Sequence, residues 1–305
     1  MIGCDCNAGL SNYGRPGCVP LFSIVSSLIQ VPLVASDGSL NRIDLSAPFT
    51  APVWADLINE IDGSKRWFPL PAFENVELPK ADSQFEEANS GRMAFLRQGK
   101  RSFSGELWAE DSTPTLLGKL EAGRCADSGV YAVDVNGNLI GSEVDGFLYP
   151  IPVDSASWNP VFMFATDSTV QKITLGFDFD RLFNESTMYM ITPEEAGIDF
   201  TSLTGLIDVI FSDVTASTTV ADFTTKFQYG TAPNKLKFSG AIASDFVIEN
   251  ITGAYTMSAP LTFVENPDGT YAFTYQVIEQ PILNDVLSIT VVKTGFSGST
   301  TVTVV

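Results

Sequence analysis

Three carboxylate pairs, Glu86-Glu87, Asp178-x-Asp180 and Glu194-Glu195, are the side chains of this chain whose spacing could carry a reaction. Two carboxylates suffice to hydrolyse a glycosidic bond, one as acid and the other as base or nucleophile, with no help from histidine. The geometry of a strand works against that use. Adjacent acids point to opposite faces, and Asp178 and Asp180 share a face at a spacing common on solvated or inter-subunit edges. Trp54, Trp67, Trp108 and Trp158 could stack on sugars, but aromatic residues at strand spacing more often fill cores. Carbohydrate binding or glycoside hydrolysis is therefore a secondary alternative.

Other chemistries fall away by residue type. The chain contains no histidine, which removes Ser-His-Asp, Cys-His and histidine-ligated metal chemistry together. Cys4, Cys6, Cys18 and Cys125 lack the paired Cys-x-x-Cys spacing of zinc ribbons. They read as free thiols, with a structural zinc site or a disulfide as the alternatives. Asp134-x-Asn136-x-Asn138 resembles the start of a calcium loop, but Leu139 stands where that loop needs glycine. Asn136-Gly137 is instead the signal of a type I′ hairpin turn. No phosphate-cradling glycine motif is present. The expectation is a protein that is not an enzyme, with no catalytic residue, cofactor or bound metal.

Charge says what such a protein could do. Lys and Arg number 17 against 36 Asp and Glu, a net charge of −19. That balance argues against a free-standing binder of nucleic-acid backbone. Residues 1–125 hold 11 basic and 15 acidic side chains and residues 126–305 hold 6 and 21, so the acidity belongs mainly to the second part. Charged residues make up only 17% of the chain, below the usual share of roughly 25%, as suits a subunit that buries surface against neighbours. The densest basic run is Arg92, Arg97, Lys100, Arg101, Lys119 and Arg124. Balancing charges on an acidic protein most simply pair with acids of a neighbouring subunit. Arg92, Arg97, Lys100 and Arg101 are accordingly the candidate subunit contacts.

The elements that must position these residues are mostly strands. Residues 1–20 are rich in glycine and proline and read as an extended arm. Leu21 to Val34 reads as one or two strands, too short and polar to span a membrane. With no recognisable secretory leader, folding in a cytoplasm is expected. A helix is predicted over 51–62, capped by Thr50, with Val53, Leu57, Ile58 and Ile61 as its apolar stripe. A second is predicted over 113–124, with Thr113 or Ser112 as cap, Leu116, Leu117 and Leu120 buried, and Gly123 as stop. Met93–Arg97 and Phe103–Leu107 alternate on either side of Gln98-Gly99 and read as a hairpin. A boundary is placed in the junction Asn184–Leu203, giving an arm (1–20), a β domain (21–192) and a second β domain (193–305). The latter holds seven or so short strands between turn signals, as in an immunoglobulin-like sandwich.

The order of features over 73–180 resembles phage tail tube proteins. It runs through Phe73-Glu74-Asn75-Val76-Glu77-Leu78, Glu86-Glu87-Ala88-Asn89-Ser90-Gly91-Arg92, the strand Gly99–Leu107, the helix from Pro114, Asn136–Gly141 and the strand Lys172–Phe179. The opening Cys4-Asp5-Cys6-Asn7-Ala8-Gly9-Leu10 is similar to openings of structural proteins from phages infecting Bacteroidetes. The resemblance covers a third to a half of the chain. It implies a mainly β fold: a sandwich or rolled barrel with one or two packed helices, whose inner sheet lines a tube. The remainder would be an immunoglobulin-like or second tube-like sandwich.

It also implies a virion tail protein that stacks as rings, trimeric or hexameric, meets other tail proteins, and passes double-stranded DNA without binding it. An acidic wall repels phosphates, so the charge suits that role. The rival structural reading is a decoration, baseplate or adhesion protein with an immunoglobulin-like domain.

Overall fold

The computed structural model describes residues 21–46, 51–181, 183–227, 236–257, 262–276 and 279–305. The expected arm with Cys4, Cys6 and Cys18, the Thr50 cap and the Pro233-Asn234 turn lie outside the described residues. The fold is mainly β, with 45% strand and 14% helix, and its sheets curl into half-barrels.

In chain order the first unit contributes β1 (Val25–Pro32), β2 (Ile43–Asp44), α1 (Ala51–Asn59), β3 (Phe68–Pro69), β4 (Glu74–Glu77), β5 (Gln84–Glu87) and β6 (Met93–Arg97). It continues with β7 (Ser102–Trp108), α2 (Pro114–Ala122), β8 (Ser128–Asp134), β9 (Leu139–Val144), β10 (Phe147–Tyr149) and β11 (Ile151–Pro152). It ends with β12 (Asn159–Met163), β13 (Lys172–Asp178), β14 (Met188–Ile191) and α3 (Pro193–Ala196). The second unit contributes β15 (Ile207–Ala216), β16 (Val220–Phe227), β17 (Phe246–Asn250), β18 (Tyr255–Thr256), β19 (Thr262–Glu265), β20 (Thr270–Thr274), β21 (Val286–Val291) and β22 (Phe296–Thr303), with one short 3-10 turn, Ala243–Asp245, before β17.

The first unit has three layers. Its central sheet runs β2-β10-β9-β8-β1-β3, with β11 on β8 and β14 on β9. One face packs against a four-stranded sheet, β12-β13-β7-β4, through Leu28, Val130 and Ile140 on one side and Phe103, Leu107, Leu175 and Phe177 on the other. The opposite face receives α1, with Trp54 and Ile58 against Tyr131, Val133 and Leu139. Strand β8 is consequently buried along its whole length. Gly105 makes the sandwich possible where it is tightest, since an added Cβ would lie 2.9 Å from both the Phe73 and Phe103 rings.

Helix α2 forms where expected: Thr113 Oγ1 accepts from the Leu116 amide at 3.2 Å, Gly123 follows the last turn, and Leu120 is buried while Leu116 and Leu117 are half-buried. Helix α1 ends at Asn59, earlier than expected; Leu57 and Ile58 of the expected stripe pack on the core together with Trp54, and the Val53 side chain lies outside the described residues. Ile61 lies beyond the helix and is exposed. The turn at Asn136-Gly137 also departs from type I′. Gly137 N donates to Asp134 O, and Asp134 N donates to Asn138 O, which makes a three-residue loop. Only Gly137 takes positive φ, +77°, where type I′ needs two such residues. Asp134 decides this, because its buried carboxylate accepts from the amides of Asn136 and Asn138 and from Asn138 Nδ2, at 2.8 to 3.0 Å.

The expected hairpin between Met93–Arg97 and Phe103–Leu107 does not form. β6 pairs with β5 around Asn89-Ser90-Gly91, while β7 pairs with β4 and β13. The inward residues of β7 are apolar and bury between those two partners, whereas β6 has no core to enter. Gln98-Gly99, read as a turn, is instead the root where the β5–β6 hairpin leaves the body; Gly99 lies against the Ala81 carbonyl, leaving no room for a Cβ.

Strand β14 forms within the expected junction, and residues 193–206 pack on the first core through Ala196 and Phe200. The eight strands of the second unit form one curled sheet, β18-β17-β21-β22-β15-β16-β20-β19, closed on a core that includes Phe238, Tyr271, Phe273, Leu287 and Ile289. Among the described residues its pairings are antiparallel except β15 with β22.

Candidate subunit interface

Two surfaces stand out, and both arise from the segment between β4 and β13. The first is the outward face of the four-stranded sheet. Register sets its rows: Glu74, Glu106, Thr174 and Val161 across one, Glu77, Ser104, Gly176 and Asn159 across the next. Trp108, Lys172 and Met163 lie to one end, and Ser102 with Asp178 to the other. Small polar side chains and four carboxylates thus share this face with one lysine.

That lysine is held. Lys172 Nζ lies 2.6 Å from Glu106 Oε1, and Glu106 also accepts from Trp108 Nε1 and Asn75 Nδ2, each at 2.8 Å. The lysine contact above all holds the Glu106 carboxyl below its ordinary range. The strands β12 and β4 end the sheet, and among the described residues neither has a partner on its outer side. Val161, Met163 and Phe164 are exposed on or just beyond β12. An open edge with apolar side chains is a template for another strand.

The second surface is the β5–β6 hairpin. Every residue of both strands is exposed, including Phe85, Met93, Phe95 and Leu96. Phe85 and Phe95 are cross-strand partners with ring centroids 5.6 Å apart, edge to face. None of the four belongs to a core cluster. A two-stranded hairpin is marginal in water on its own, and each large apolar side chain left in water forgoes about 1.5–3 kcal/mol of burial.

The four candidate contact residues divide between these surfaces. Arg92 sits at the hairpin turn, where its carbonyl accepts from Ala88 N at 2.9 Å, and Arg97 Nε donates to Gln84 Oε1 at 2.8 Å within the hairpin. Lys100 and Arg101 belong to the body. Lys100 Nζ lies 3.3 Å from both Asp154 and Asp178, which raises its pKa. Arg101 Nε donates to Glu185 Oε1 at 2.8 Å and holds that carboxyl low, with Lys80 completing the cluster at 2.9 Å. Lys119 pairs with Asp208 at 2.8 Å. Much of the basic run is thus matched by acids of its own chain rather than left open to a neighbour.

The carboxylate pairs have structural surroundings. Glu86 and Glu87 lie on the exposed hairpin, Asp178 accepts from Ser102 Oγ at 2.7 Å, and Glu195 closes a capping box with Thr192 at the start of α3. Trp54, Trp67 and Trp158 are buried, and Trp54 Nε1 donates to Ala196 O at 3.0 Å. Trp108 is the exposed one, with its indole held by Glu106. Cys125 is an exposed free thiol. Among the described residues no cluster of metal-ligating side chains occurs, and no helix is long and apolar enough to cross a membrane.

What the charge-led sequence reading missed is the apolar half of the hairpin. Its signal was present: Phe85, Met93 and Phe95 flank the turn residues Asn89-Ser90-Gly91, which mark a hairpin of their own. No known family profile matches the chain, and no curated protein does.

Proposed function

We propose that this chain is a virion structural protein, the tail tube subunit of a tailed phage. The observation that carries this reading is the four-stranded sheet, open at both edges and acid-rich on its outward face. Joining β4 of one copy to β12 of the next would continue the sheet from subunit to subunit and bury both edges. The shared outward face would then line a conduit for DNA. Carboxylates repel phosphate, and Lys172 and Lys100, the lysines nearest that face, are engaged by Glu106, Asp154 and Asp178 and so are poor anchors for a passing backbone. The mechanism is passive: rings, trimeric or hexameric, stack with other tail proteins into a smooth tube, assembled in the host cytoplasm and carried in the virion.

Purified protein imaged by negative stain at increasing concentration tests this. Hollow rods or stacked rings are expected. Persistent monomer at high concentration overturns the reading, and closed oligomers that never stack favour a decoration, baseplate or adhesion role.

A further inference from the structure

A groove of about 860 Å³ runs between β1, β3 and the chain after it, α2, and the segment 201–208 that leads into the second unit. Its walls are largely apolar, with Trp67, Leu70, Pro71, Leu116, Leu203 and Leu206 among them. The volume lies within the range of sites that enclose a sizeable ligand. Acids stand among its lining residues. Asp208 is paired with Lys119, and Arg66, the other lining cation, donates to Glu60 O, Ile61 O and Ser297 Oγ, but Asp111 and Asp127 have no cation partner among the described residues. Partial burial raises the Asp111 pKa, as for a carboxylate lacking such a partner.

The β5–β6 hairpin has the complementary make-up. Register puts Phe85, Phe95 and Met93 on one face, with Glu87 beside Met93 at the end nearer the turn. Arg92, at the turn, has no carboxylate partner among the described residues. The hairpin contributes no residue to the groove's lining. One chain therefore carries an uncovered apolar projection with a free cation at its tip, and an apolar groove with free carboxylates beside it.

We propose that the hairpin of one copy seats its Phe85–Met93–Phe95 face in this groove of a second copy, with Arg92 against Asp111 and Asp127. The two surfaces differ, so the contact either repeats head-to-tail, as a ring or a filament, or is made twice in a reciprocal exchange between two copies. It rests on the tube reading only in that the partner is another copy of this chain, and makes no use of DNA or of the sheet edges.

The test is a directed cross-link between copies. Phe95 is replaced by a benzophenone-bearing phenylalanine, and the protein is mixed with an isotopically labelled wild-type copy at a concentration where it assembles. Light is expected to join residue 95 to labelled peptides from the groove's walls, 26–32, 66–72, 111–128 or 201–208. Arg92→Glu should lower the yield about 10-fold or more, and Asp127→Arg in the labelled copy should restore it. Both changes are on exposed residues, so folding is not at stake. Ala122→Trp, on an exposed position of the groove, should also lower the yield. Cross-links confined to other regions, an absence of inter-copy cross-links, or yields indifferent to Arg92 and Ala122 overturn the proposal. Rods that form with cross-links elsewhere keep the tube reading and sink this contact; the expected cross-links in closed, unstacked oligomers do the reverse.

Discussion

Phe95 and Phe103 sit on consecutive strands of one chain, the first 50% exposed and the second 1%. Both strands alternate, both are poor in charge, and a short glycine-bearing link joins them. Their fates differ because of what lies on either side. β7 has β4 and β13 as neighbours and a sheet beneath it, so Phe103 meets Phe73 and Phe177 at ring-centroid distances of 5.3 and 5.0 Å. β6 has β5 alone. A strand's stability thus comes from its place in a layered assembly, and where the layer is missing within the chain, the apolar pattern is information about a neighbour.

The contrast can be broken most sharply at the two rings. Phe103→Ala should cost about 3–5 kcal/mol, read as a lower denaturant midpoint, because it opens a cavity between two sheets. Phe95→Ala should leave that midpoint within about 0.5 kcal/mol while weakening self-association. A large loss of stability in Phe95→Ala would show that the hairpin packs on its own body.

The two turns offer the next test. Gly137 and Gly91 both have positive φ, but a Cβ at Gly137 would strike the Asp199 carboxylate, whereas Gly91 faces open space. Gly137→Ala is expected to cost about 2–3 kcal/mol and Gly91→Ala about 1 kcal/mol, since only the latter escapes with backbone strain alone. Equal effects in a thermal melt would remove the distinction between a turn locked into the body and one presented outward.

At α3, Thr192→Ala should cost about 1 kcal/mol by removing the capping box that seats 193–206 on the first core. Limited proteolysis after this change should begin in that segment and spare the β13–β7 pairing. The smallest effect is on pH. Lys172 and Arg101 hold Glu106 and Glu185 below the ordinary carboxylate range. The stabilisation is complete above the unfolded-state pKa near 4.5 and disappears as pH falls through the lower folded values. Melting temperature should therefore drop on acidification from pH 5 to 3, and Glu106→Gln should flatten that drop while losing under about 1 kcal/mol at pH 7.

Much of this architecture was legible in residue types. Thr113-Pro114 and Gly123 bound α2 because capping is local chemistry, and the turn glycines of the second unit mark strand ends for the same reason. Strand partners were less legible. Gln98-Gly99 looks like a turn because turn propensity is local, while the choice of β13 over β6 as the partner of β7 is made about seventy residues away. At Asn136-Gly137 a buried aspartate two residues earlier chose the loop type, which dipeptide preference does not weigh. For the candidate site, counting charges found Arg92 and Arg97 but also Lys100 and Arg101, whose acidic partners Asp178 and Glu185 lie some eighty residues off.

The parallel pairing of β15 with β22 has a consequence in time. Ile207 cannot meet Phe296 until roughly 90 further residues have been made, which at translation speeds of about 5–20 residues per second is on the order of ten seconds. During that interval β15 has one bare side while the first unit is already fully synthesised. Asp208 and Asp213 on that strand, and the irregular register between Ser212 and Thr215, are the features that discourage a nascent strand from pairing with a stranger. The newborn chain is thereby carried past its most adhesive moment before its last strand arrives.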